Sequence, residues 1–79
     1  RDQQSVGSYV DDTAITAAVK AKMAEDKSVS ATAISVETLK GVVQLSGFAK
    51  SEAEKARAGE IARTTKNVSE VRNSIVVKP

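Results

Sequence analysis

The stretch "AISVETLKGVVQLSGFAKSEAE", residues 33–54, decides the fold. Two apolar-alternating runs, "AISVETL" and "VVQLSGF", flank Lys40-Gly41. A two-residue turn at Lys40-Gly41 pairs Leu39 with Val42, Thr38 with Val43, Val36 with Leu45 and Ile34 with Gly47. That register puts Ile34, Val36, Val43 and Leu45 on one face, and Ser35, Glu37, Gln44 and Ser46 on the other. Turn chemistry and side-chain period agree, so the stretch reads as a hairpin with one buried face and one face left to water or a partner. Gly41 is a turn residue and Gly47 a strand-end residue. Ser51 and Glu54 then form an S-x-x-E capping box that opens a helix.

On the amino-terminal side, Ile15, Val19 and Met23 recur every four residues, which predicts a helix from about residue 12 to 26. Asp11 or Asp12 is the expected cap. The alternative for this acidic pair is an acid/base or divalent-cation site. Residues 1–10 are polar and aperiodic and read as a flexible lead-in. On the carboxy-terminal side, the second helix is expected to bury Ala53, Ala58, Ile61, Ala62 and Thr65. Gly59 suits close packing or a tolerated surface position, and Asn67 suits a helix stop. In "SEVRNSIVV", Val71, Ile75 and Val77 share a strand face with Asn73, expected to be a buried amide bonded to backbone. The order is helix-strand-strand-helix-strand. It predicts an α+β domain over residues 11–79, with a three-stranded mixed sheet and both helices on one face. The last strand is parallel to the second. The expected core is Ile15, Val19, Ile34, Val36, Val43, Leu45, Ile61, Val71, Ile75 and Val77.

Composition narrows the chemistry. The 79 residues contain no Cys, His or Trp, and Tyr9 and Phe48 are the only aromatics. Disulfides, thiol nucleophiles, most zinc ligand sets and the usual neutral-pH base are therefore excluded. Ser46, Ser51 and Thr38 have no His to activate them, and Ser51 is explained by its cap. A net charge of +2 with interspersed signs is too mild for a dedicated nucleic-acid binder. No G-x-x-G loop, P-loop or dinucleotide fingerprint occurs. No run approaches the ~20 apolar residues of a membrane span. The chain opens on Arg1 rather than Met, the pattern expected of a processed chain whose export signal or anchor lies elsewhere.

"VVQLSGFAKSEAEKARAGEIA" followed by "NVSEVRNSIVV" resembles the BON domain of bacterial envelope proteins. The matching positions are Gly47, Ser51, Ala58, Ile61, Ala62, Val68, Val71, Asn73, Ile75 and Val77. "YVDDTAITAAVKAKMAED" resembles the family's opening helix. Asn67 stands where the family commonly has Gly, and Asn reaches the same backbone geometry. Of these positions Gly47, Ser51 and Asn73 are structural. The resemblance implies a non-enzymatic periplasmic module, with no cofactor and no small-molecule or nucleic-acid partner. It also implies binding to phospholipid surfaces and support of envelope integrity under stress, including osmotic stress. Outer-membrane attachment through a lipid on another part of the protein fits this reading. The alternative is a protein-interaction module using the open sheet face or an edge strand. For lipid contact, the first helix's outer face carries Ala17, Lys20, Ala21, Ala24 and Lys27, a small stripe with two cations suited to anionic headgroups.

Overall fold

A computed structural model describes the backbone of residues 2–79 and the side chains from residue 12 onward. Helix α1 spans Asp2–Glu25, a 3-10 turn spans Ala31–Ala33, and strands β1 and β2 span Ile34–Leu39 and Val42–Ala49. Helix α2 follows at Glu52–Arg63, then short strands β3 (Glu70–Asn73) and β4 (Val76–Val77). The fold is α+β, as the order of elements predicts.

Strands β1 and β2 pair antiparallel in the expected register, from Leu39 opposite Val42 to Ile34 opposite Gly47. Lys40 and Gly41 both have positive φ (53° and 83°), the geometry of a primed turn that follows the right-handed strand twist. β3 lies parallel to β2, with Val43 opposite Val71 and Leu45 opposite Asn73. The expected single last strand is divided. β4 resumes the same parallel offset, with Phe48 opposite Val76. Ser74 N–H and Lys78 N–H donate to Leu45 O (2.9 Å) and Ala49 O (2.7 Å) on either side of the gap. Between them Ile75 N–H, which points away from β2 by strand parity, donates to the side-chain oxygen of Asn73 at 3.2 Å.

Ile15, Val19 and Met23 of α1 and Ala58, Ile61 and Ala62 of α2 meet Ile34, Val36, Val43 and Leu45 in one core. Val29 and Ala49 join it, although the sequence pattern did not single them out. Val71 packs against the core only partly buried, and Val77 is half-buried. Ala53 is exposed, contrary to the expected face of α2. The stripe is phased on Glu54, Ala58, Ile61 and Thr65 instead, because the carboxylate of Glu54 points inward.

α1 begins ahead of the residue-12 start read from the apolar spacing, and residues 2–11 hold no proline to stop it. Arg1 and the side chains of residues 2–11 lie outside the described residues, and so does the side chain of Asp11. Asp12 sits inside the helix and does not cap it.

Candidate functional site

The structural residues fix the surfaces. Ser51 is the α2 cap: its hydroxyl accepts the Glu54 N–H at 3.1 Å. The box does not close on itself. Glu54 Oε1 accepts the Lys50 N–H at 2.8 Å, and Oε2 accepts the Ser30 N–H at 2.7 Å. Glu54 is only 5% exposed. The Lys50 N–H, followed by the Ser30 N–H, holds its carboxyl below the usual range against the opposing effect of burial. Asp12 makes a second such clasp at the opposite end. Its two oxygens accept the N–H groups of Lys40 (2.7 Å) and Gly41 (2.9 Å).

Gly47 has φ +111°, and a Cβ there would stand 2.1 Å from Ala33 O, so no other residue fits without a backbone shift. Asn73 is half-buried, less covered than expected. Its amide donates to Lys55 O at 2.8 Å, tying β3 to α2. Gly59 is buried against it: a Cβ at Gly59 would lie 2.8 Å from Asn73 Nδ2.

Past α1 the chain turns at Asp26, whose side chain accepts the N–H and hydroxyl of Ser28. The Ser28 hydroxyl, then Arg57 at 2.7 Å, lowers the Asp26 pKa from 3.8 to about 2. Arg57 also reaches Glu60 at 3.1 Å, and its own pKa is raised.

Ala17, Lys20, Ala21 and Ala24 are exposed together on α1. Lys27 is exposed too but lies in the turn after the helix, which ends at Glu25. A groove of about 480 Å3 between α1 and outer strand β1 is lined by Lys20, Met23, Ile34, Val36 and Glu37. The open sheet face carries Glu37, Gln44, Ser46 and Arg72 in a depression of about 660 Å3. Among the described residues, Leu39, Phe48 and Val76 are the large exposed apolar ones. Among the described residues no group of three acids forms a metal cage, and no helix is long and apolar enough to cross a membrane.

The family model of the BON domain matches residues 11–79. The chain belongs to the BON domain family. This BON domain is also 43% identical over 74 residues to osmotically-inducible protein Y of Escherichia coli (strain K12). The match covers 94% of this chain and 37% of that protein, so the chain spans little more than a third of its relative's length. Gly47, Ser51 and Asn73 are engaged in the backbone contacts described above and so shape the domain.

Proposed function

We propose that this BON domain is a non-enzymatic module of the bacterial periplasm that binds phospholipid membrane surfaces and supports envelope integrity under osmotic stress. The observation that carries the reading is the exposed α1 stripe of Ala17, Lys20, Ala21 and Ala24, with Lys27 in the turn beyond. Alanines let the helix lie close to headgroups, and each lysine near an anionic surface contributes ~1 kcal/mol. Binding is therefore weak and salt-sensitive. The similarity to an osmotically inducible protein supports the stress role.

The test is co-sedimentation of a Lys20→Glu, Lys27→Glu double variant with anionic liposomes, with folding checked by circular dichroism. Reduced binding by the folded variant is expected; unchanged binding rejects this face. A second reading is protein recognition along outer strand β1, favoured by its open edge and the adjoining groove. Growth at high osmolarity that depends on the domain, with no binding to any vesicle, moves the function to that edge.

A further inference from the structure

Strand parity turns Gln44, Ser46 and Phe48 away from the helices, while Val43, Leu45 and Ala49 are buried. Phe48 is 51% exposed and its cross-strand neighbour Val76 is 52% exposed. The Lys78 ammonium stands 5.1 Å from the centre of the Phe48 ring. Lys50, exposed two residues past Phe48, is held to Ser30 Oγ at 2.8 Å. The patch is rigidly mounted. Gly47 packs against the Ala33 carbonyl, and Lys78 N–H bonds Ala49 O at 2.7 Å.

We propose that Phe48, Val76 and Lys78, with Lys50 at the rim, form a shallow anchor that enters the headgroup region of an anionic bilayer. The inference rests on the membrane reading above and adds to the α1 stripe a second, deeper contact at the Phe48 end of the sheet. An apolar pair beside two ammoniums matches the layered chemistry of that region, with hydrocarbon below and phosphate around it.

Charge on this face is segregated. Glu37 lies in the row of Gln44, four residues or about 13 Å from Phe48. Glu70 lies in the row of Val42, about 20 Å away, and is paired with Arg72 at 3.2 Å. Both distances exceed the screening length of about 8 Å at physiological salt. Glu54 is buried with its oxygens on backbone N–H groups. Glu52, the exposed acid at the start of α2, belongs to the helical layer on the other side of the sheet.

The patch is too small for a stable protein interface, which needs about 800 Å2 per partner. A two-fold contact through Phe48 would also set one Lys78 against the other. Lys27 precedes Ser30, the partner of Lys50, by three residues, so it adds positive charge at the Ser30 end of the domain.

The chain has no Trp, so Phe48→Trp gives a single emission signal, with Ala21→Trp as the α1 reference. On phosphatidylglycerol vesicles we expect a blue shift for Phe48→Trp larger than for Ala21→Trp, and quenching by brominated acyl chains. Lys78→Gln should weaken co-sedimentation about fivefold, and Phe48→Ser about five- to tenfold, both with unchanged circular dichroism. Should the parent sediment while Phe48→Trp stays unshifted and Phe48→Ser binds normally, this anchor is overturned and the membrane reading stands. A parent that does not sediment overturns both. A shift of Phe48→Trp that grows with protein concentration without vesicles makes a second copy the occupant and overturns the bilayer. Equal shifts on phosphatidylcholine overturn the roles of Lys50 and Lys78.

Discussion

Each helix sends one carboxylate to backbone N–H groups outside itself, at opposite ends of the domain. Asp12 of α1 holds Lys40 and Gly41, two adjacent residues of one turn. Glu54 of α2 holds Ser30 and Lys50, which come from two different segments. Asp12 is half-buried and Glu54 is buried. The turn under Asp12 has the left-handed pair Lys40-Gly41 to shape it in any case. Ser30 opens the 3-10 turn and Lys50 precedes the α2 cap, so each has local structure of its own, and Glu54 joins the two. The same chemistry thus reinforces a single turn at one end and ties two segments together at the other.

The largest predicted effect lies at the Glu54 end. Gly47→Ala must place a Cβ against Ala33 O in a left-handed backbone, and about 3 kcal/mol of destabilisation is expected. Much of so small a domain would unfold, which a urea titration by circular dichroism measures directly. If Gly47→Ala is as stable as the parent, the end held by Glu54 is softer than its geometry indicates.

Glu54→Gln comes next. It keeps the shape of the side chain but offers one acceptor oxygen for two N–H groups, so about 1–3 kcal/mol is expected to be lost. Its pH dependence adds a second readout. The carboxyl is held below its ordinary 4.5. Its contribution is therefore complete above that pH and is lost as pH falls through the lowered folded value. The parent should weaken below pH 4.5, and Glu54→Gln should show a shallower acid limb. Equal slopes would mean that the clasp does not bias the protonation of Glu54.

Asp12→Asn is the smallest, at about 1 kcal/mol, because its site is partly wet and loses one acceptor. Amide hydrogen exchange should quicken at Lys40 and Gly41 and stay unchanged at Ser30 and Lys50. A cost equal to that of Glu54→Gln would remove burial as the distinction between the two clasps.

The hairpin register was legible because two independent signals, side-chain period and a Lys-Gly turn, agree on one pairing. The clasps were not. Asp12 and Glu54 carry the residue types of helix starts, and local patterns say nothing of N–H groups 24 or more residues away. With Glu54 assigned to the capping box, the apolar pattern of α2 points to Ala53 as the first buried residue, where the structure buries Glu54. The break at Ser74–Ile75 leaves Val71, Ile75 and Val77 in phase, because β3 and β4 keep one parallel offset on β2, so the alternation does not reveal it. On the surface, helical period placed Ala17, Lys20, Ala21 and Ala24 on one exposed stripe, but the Asp26 turn took Lys27 off the helix. The outward direction of Phe48 was implicit in the parity of Gln44 and Ser46, whereas the position of Lys78 over its ring required the β2–β4 pairing.

The contact between Gly59 and Asn73 makes the two positions a linked pair in the history of the domain. Alanine at 59 alone gains about 1 kcal/mol of helix propensity but drives its methyl into the amide that holds β3 to α2. Once residue 73 has become small, the same alanine meets open space and its propensity gain is free to appear. The order of change therefore decides its outcome. A lineage that loses the amide first can acquire the better helix former afterwards, and having done so cannot restore the amide in one step.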